Sequence, residues 1–173
     1  TGGQIVAGQG SISAAGNTMT VQQNTQKMIA NWSTFNIGQS ASVNFNQPNA
    51  SAIALNRIQS QSPSQIFGSL TANGKVWLVN PSGILFSPTA RVDVGGLVAS
   101  SLNISNEDFL AGRNLFESSG IAGAVINQGS IRTADGGYIA FMAPVVKNEG
   151  AITTTNGAVV LASAEKLSLD FTG

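Results

Sequence analysis

One phrase occurs twice in the C-terminal third of this 173-residue chain, and its spacing constrains the fold more than any other feature. Asn127-Gln128-Gly129-Ser130-Ile131 and Asn148-Glu149-Gly150-Ala151-Ile152 stand 21 residues apart, and the correspondence runs without a gap from Asn127/Asn148 to Ala143/Ala164. Each copy places Gly, a small residue, Ile, a polar run and an Asx-Gly corner ahead of an apolar strand. That strand is Tyr138–Met142 in one copy and Ala158–Ala162 in the other. The phrase recurs as Gly68–Gly74, leading into Val76–Val79, and more faintly as Gly10–Asn17 ahead of Met19-Thr20-Val21. A unit this short cannot bury its apolar face alone, so a fixed period implies stacking on neighbours.

The stretch Gly74–Ser101 reaches the same period by another route. Val76–Val79 and Ile84–Phe86 flank Asn80-Pro81-Ser82-Gly83, the residues of a type I turn: Asn caps it, Pro presets φ, and Gly closes it. A second proline corner follows in Ser87-Pro88-Thr89-Ala90, and Val92-Asp93-Val94 then alternates before Gly95-Gly96 breaks the strand. Three sides of about seven residues make a rung of about 21. The expectation is an all-β solenoid with Gly74–Ser101 as one rung and the Asn80–Gly83 turn as an outward corner.

Composition narrows the function. Only 9% of residues are charged and the formal net charge is zero, so there is no basic footprint for nucleic acid and no acidic shield. With 42% apolar residues and so few charges, Asn, Gln, Ser, Thr and Gly must supply the polar surface, which suits stacked strands with tight corners. There is no His and no Cys, which excludes imidazole acid–base chemistry, thiolate nucleophiles and His or Cys metal sites. Absence of Cys also fits a chain that crosses an oxidising compartment unfolded. No run of about 18 apolar residues is present to form a spanning helix. Thr1 is not followed by a signal peptide, so the chain is expected to need no export or to be the mature product of it.

Other segments interrupt the repeat. Asn24–Ile37 holds Met28, Ile29 and Trp32 at helix-like spacing, while Trp32, Phe35 and Ile37 also fit an extended chain, so both remain open. Ser42–Phe45 alternates like a strand and Gln47-Pro48-Asn49-Ala50 reads as a turn. Ser105-x-x-Asp108 ahead of Phe109-Leu110 is a capping-box pattern with Gly112 as a stop, predicting a turn or so of helix outside the solenoid. The chain is expected to be one domain over 1–173. Residues 1 to about 40 would cap its N-terminal end, rungs with extra-helical elements fill 41–104, an insertion occupies 105–120, and rungs resume over 121–173. No cap signal follows Leu167–Phe171, so the chain is expected to be the first piece of a longer repetitive protein.

Catalytic chemistry has no foothold. The eight carboxylates are scattered, and the adjacent pair Glu107-Asp108 sits where a helix N-terminus wants negative charge. Asp93 is expected to face outward beside Arg91 as a solvated contact. A polysaccharide lyase or hydrolase would need several acids on one face, and only Asp93 and Asp135 come near. Gly8-x-Gly10 lacks the third glycine of a dinucleotide fingerprint. The Asn31, Asn49 and Asn103 sequons arise readily by chance in a chain so rich in Asn and Ser. Trp77 and Phe86 read as core stackers. The reading is of a non-enzyme without cofactor or metal; a free-standing adhesin or carbohydrate-binding β-solenoid is the alternative.

Several stretches resemble the N-terminal secretion domain of filamentous haemagglutinin-like exoproteins of two-partner secretion: Met19–Gly38, Ala54–Phe86 and Val92–Ser105, with Gly136–Pro144 and Val146–Ile152 further on. The most specific element is Asn80-Pro81-Ser82-Gly83-Ile84, where the family usually has Asn-Pro-Asn-Gly-Ile, so Ser82 is a departure. The resemblance implies a right-handed parallel β-helix with an N-terminal cap and extra-helical strands. It implies a monomer exported by the general secretory machinery, crossing the periplasm unfolded. An outer-membrane β-barrel transporter with soluble periplasmic domains would then recognise it, and an adhesin-type exoprotein would reach the surface of a Gram-negative bacterium. Asn80, Pro81, Ser82, Gly83 and Ile84 are the candidate residues for transporter recognition or folding nucleation. Asn24, Gln26, Asn31, Trp32, Asn56 and Arg57, inside the same stretches, are secondary candidates.

Overall fold

In the computed structural model, which describes residues 1–120 and 122–170, nearly every regular element is a strand. β1 (Gln4–Ala7) and β2 (Gly10–Ala15) precede β3 (Thr18–Gln23) and β4 (Lys27–Trp32), and the next turn carries β5 (Ser42–Asn46) and β6 (Ile53–Ile58). Three-sided rungs follow. The first holds β7 (Ser64–Ile66), β8 (Ser69–Ala72) and β9 (Lys75–Val79); the second holds β10 (Ile84–Phe86), β11 (Arg91–Val94) and β12 (Gly96–Ser100). The chain then leaves the stack through α1 (Asn106–Ala111) and β13 (Leu115–Glu117). It re-enters as β14 (Val125–Asn127), β15 (Ser130–Thr133) and β16 (Tyr138–Ala143), then β17 (Val146–Asn148), β18 (Ala151–Thr153) and β19 (Ala158–Ser163). β20 (Lys166–Ser168) returns to pair antiparallel with β13.

The result is a parallel β-helix. Side A stacks β1-β4-β6-β9-β12-β16-β19, side B stacks β2-β3-β5-β8-β11-β15-β18, and side C stacks β7-β10-β14-β17. Val76 pairs with Leu97 and Val125 with Val146, both at the 21-residue spacing. The gap-free repeat, however, breaks within its last corner: Tyr138 pairs with Ala158 and Ala143 with Ser163, one residue short of it. Asn156 (φ 49) takes the left-handed position that Gly136 (φ 71) takes one rung earlier, and its Nδ2 donates to Asp135 Oδ1 at 2.8 Å. A short Asx side chain tolerates that conformation, so the corner turns one residue sooner. Val159 and Leu161 consequently lie over Ile139 and Phe141.

Parallel stacking begins earlier than expected. β3 and β4 already pair parallel with β5 and β6, and at this end of the stack β1 and β2 run antiparallel, β2 to β3 and β1 to β4. The faint repeat at Gly10–Asn17 is therefore a hairpin arm turning at Gly16 (φ 57), not a rung. The ambiguous segment is extended over β4. Met28, Ala30 and Trp32 enter the lumen while Ile29 joins a second apolar layer on the other face, so burial of both faces imitates helical spacing.

Two apolar layers result. The lumen gathers Val21, Phe45, Leu70, Phe86, Val92, Ile131 and Phe141 among others, with the Phe86 and Phe141 rings stacked at 6.0 Å and 7°. Trp77 lies instead in the second layer, on the outer face of side A, with Leu55, Val98 and Met142 beneath Phe109, Phe116 and Leu169. The predicted helix forms as α1: Ser105 Oγ accepts from Asp108 N at 3.0 Å, and Gly112 ends it at φ 76. At the last rung Val159 and Leu161 are each 46% exposed, whereas Ile139 and Phe141 beneath them are fully buried.

Candidate functional site

Asn80-Pro81-Ser82-Gly83 closes as a turn through Gly83 N–H donating to Asn80 O at 2.9 Å. It is not the outward corner expected. Asn80 is fully buried: its Nδ2 donates to Ser62 O (3.2 Å) and Ser64 Oγ (3.0 Å), and its Oδ1 accepts from Ser82 N (3.0 Å). Ser82 Oγ donates to Ser60 O at 2.8 Å, so the residue that departs from the family pattern still ties the turn to the preceding rung. On the far side Gly123 N donates to Pro81 O (2.7 Å) and Ile84 N to Ala124 O (3.0 Å). Gly83 sits at φ 105 against Ala124, where a Cβ would meet the Ala124 carbonyl at 2.6 Å. The turn is thus clamped between the rungs before and after it, leaving Pro81 and Ser82 half-buried and Ile84 in the lumen. The Asn80 side chain turns inward because a buried amide must find partners, and the preceding rung supplies two while the turn itself supplies the third.

Four of the six secondary candidates gather near this corner. Asn31, Arg57 and Val79 share one register row across side A, and Val79 runs straight into Asn80. Asn56, inside the lumen, accepts from Trp32 Nε1 at 2.9 Å and donates to Trp77 O at 3.3 Å. Arg57 faces the other way and holds the insertion. It reaches Asn103 Oδ1 (3.1 Å), Asn106 Oδ1 (2.6 Å) and Ile104 O (2.6 Å), and burial pulls its guanidinium below the usual value. Asn31 Oδ1 is buried with no hydrogen-bond partner among the described residues. Asn24 and Gln26 lie elsewhere, beyond the other end of β4 and roughly 20 Å away at strand rise. Gln26 bonds Ser51 Oγ (2.8 Å) and Asn49 (2.9 Å) there, and both candidates are exposed.

Sequence reasoning missed the buried amides that hold other corners. Gln47 Nε2 donates to Gln23 Oε1 (3.0 Å), Ala52 O (3.2 Å) and Lys75 O (3.1 Å), while its Oε1 accepts from Gly74 N (3.0 Å). Asn127 Nδ2 donates to Asn148 Oδ1 at 2.8 Å, and its Oδ1 accepts from Gly129 N at 3.0 Å. The recurring Asn before Gln/Glu-Gly in the repeat was the available signal for the second. Asp93 faces outward as expected, but its ion-pair partner is Arg132 on the next rung; Arg91 bonds Pro88 O and Ala90 O instead.

Apart from Arg57, the groups whose titration is shifted lie away from the corner. Arg113, then Ser105, hold the Asp108 carboxyl below the usual range, and burial pushes the Tyr138 phenol well up, opposed by its bond from Trp77 Nε1 (2.8 Å). Among the described residues no group of three or more His, Cys, Asp or Glu could hold a metal ion, and no helix is long and apolar enough to cross a membrane. What the corner presents is shape and backbone order.

Comparison with known proteins agrees with the fold. The TPS secretion domain family matches residues 2–171. A heme/hemopexin-binding protein of Haemophilus influenzae is 37% identical over 171 residues, covering 94% of this chain and 19% of that protein. A second Haemophilus influenzae protein of that name is 44% identical over 86 residues, half of this chain. The crystal structure of the HMW1 secretion domain from Haemophilus influenzae superposes with a TM-score of 0.91 at 33% identity, covering 96% of this chain and 45% of that one. The chain thus spans under half of either the solved structure or the relatives it matches.

Proposed function

The chain belongs to the TPS secretion domain family of two-partner secretion exoproteins, and from that premise we propose that it is both the segment the transporter recognises and the nucleus on which the exoprotein folds. Proteins with this domain are secreted by Gram-negative bacteria through a partner transporter. The finer reading is ours: the chain crosses the periplasm unfolded as a monomer and meets an outer-membrane β-barrel through that transporter's soluble periplasmic domains. The exoprotein behind it is of adhesin type, or binds heme or hemopexin as the names of its relatives state for them.

The observation that carries the nucleating half is the clamped turn. With Asn80 buried and bonded to the preceding rung, and Pro81 O bonded to the following one, the corner sets the register of three rungs at once. In the folded domain that amide has no face for a partner, so recognition by the transporter concerns the chain before it folds. An unfolded segment of alternating strands suits addition to an exposed sheet edge. Once outside, each rung buries apolar surface at about 25 cal/mol per Å², which biases movement outward without a nucleotide. The uncovered side chains of Val159 and Leu161 support a stack that continues past residue 173.

Replacing Asn80 by Ala separates the two roles. It strands the Ser64 hydroxyl and the Ser82 amide, and a cost of about 1–3 kcal/mol is expected in urea unfolding of the purified domain. Loss of secretion together with this destabilisation supports nucleation, whereas loss of secretion at unchanged stability assigns Asn80 to recognition. Full secretion by a domain that cannot fold would defeat the folding-driven part. A free-standing carbohydrate-binding solenoid fits less well: the outer face of side B carries Thr20, Asn44, Thr71, Asp93, Arg132 and Thr153 in one row, with no aromatic ring among them.

A further inference from the structure

We propose that α1, β13 and β20 form a clasp over the outer face of side A that opens and closes separately from the β-helix and closes after it. The outer layer beneath the clasp is extensive: Ile29, Leu55, Trp77, Val79, Val98 and Met142 all point away from the lumen and are buried. Within the rungs Tyr138 meets the Trp77 indole, and the rest of the cover comes from outside the stack. Their cover is Leu102, Ile104, Phe109, Phe116 and Leu169, with the Trp77 ring 5.4 Å from Phe109 and 5.6 Å from Phe116.

The attachments of this cover are few and local. Arg57 bonds residues 103–106, and Lys27 Nζ donates to Phe109 O (2.9 Å) and Leu110 O (3.0 Å) at the C-terminal end of α1. The other fastenings are the Asn103–Glu117 bridge, 2.9 Å in both directions, and the three-residue pairing Leu115↔Ser168, Phe116↔Leu167 and Glu117↔Lys166, extended by Ser118 N to Glu165 O (2.7 Å) and Leu169 N to Asn114 O (3.0 Å). An isolated two-stranded ribbon this short is marginal without the surface beneath it.

Chain order separates the two events. Rungs β9 and β12 pair across 21 residues, whereas β13 must wait for a partner about 50 residues further on, a longer loop to close. The lumen needs neither strand: Phe86, Ile131, Ile139 and Phe141 are buried by rungs alone. A chain stacking from its N-terminus therefore completes its lumen while Trp77, Val98 and Met142 are still partly open. In the finished domain the clasp is the low-stability unit, able to open without unstacking. This does not depend on how the chain is transported.

Because the chain has no cysteine, single thiols can read the two layers independently. Val98→Cys places one in the outer layer and Ala99→Cys, its neighbour on β12, places one in the lumen. Adding Leu167→Asp, which puts a charge against Phe116, should raise the labelling rate of V98C about tenfold or more while A99C stays protected. In the chain with its clasp intact, V98C should become reactive at urea concentrations where A99C is still closed. Equal gain at both thiols in the urea series, or no gain at V98C in either arm, overturns the proposal. If L167D loses its β circular dichroism, the urea series alone decides.

Discussion

Sides A and B run through the same rungs, yet β9, β12 and β16 read as near-continuous apolar runs (KVWLV, GLVAS, YIAFMA) while β11 and β15 alternate (RVDV, SIRT). The difference follows from what lies outside each sheet. Side B meets water, so Arg91, Asp93 and Arg132 stand outward between lumen residues. Side A meets the clasp, so Trp77, Val98 and Met142 replace them. A strand alternates when one face is wet and loses its alternation when both are dry. Strand pattern in this solenoid therefore reports the neighbour outside the helix, not the rung itself.

The sharpest way to break that contrast is to place the same charge on each outer face. Val98→Asp buries a carboxylate with no partner and should cost about 3–5 kcal/mol in denaturant unfolding, whereas Thr153→Asp, exposed beside Arg132, should stay within about 0.5 kcal/mol. Similar values for the two would mean that side A is wetter than its packing implies.

A smaller effect compares two amides. Asn56→Ala leaves the Trp32 indole N–H unpaired inside the lumen and should cost about 1–3 kcal/mol. Asn44→Ala removes only an acceptor for Thr71 Oγ1 (2.7 Å) on the wet face of side B and should change the midpoint by about 0.5 kcal/mol or less.

Tyr138, the single tyrosine, tests the dryness of side A by titration. Burial holds its folded-state pKa above the unfolded value, so the unfolded chain gives up this proton first as pH rises. Stability from this group is present below about pH 10 and falls above it. Tyrosinate absorbance at high pH should appear together with unfolding, and its appearance in the folded domain near pH 10 would show water reaching the layer. Last, Asp93→Asn removes the exposed pair with Arg132 and should leave the unfolding midpoint unchanged at moderate salt.

Much of the fold was legible in the residues because its contacts repeat. The 21-residue phrase, the two proline corners and the Ser105–Asp108 capping box each became the predicted rung, turn and helix. The candidate corner was legible as a turn, while its inward aim was not. That depends on Ser60, Ser62 and Ser64 on one side and Gly123 and Ala124 on the other, brought together only by stacking. Asn24 and Gln26 share a conspicuous stretch with Trp32, but a straight strand carries them to its far end.

Periodicity, turn chemistry and the lack of His and Cys are local properties, and by themselves they determined a stacked all-β chain without thiol or imidazole chemistry. Three outcomes were decided by the tertiary structure alone. Asn156 shortened one corner and shifted Val159 and Leu161 into line with the lumen; Arg132 displaced Arg91 as the partner of Asp93; and β20 closed over side A. Each joins residues one rung or more apart, where register and not sequence neighbourhood chooses the contact. A change of one residue in a corner moves every side chain beyond it to the other face.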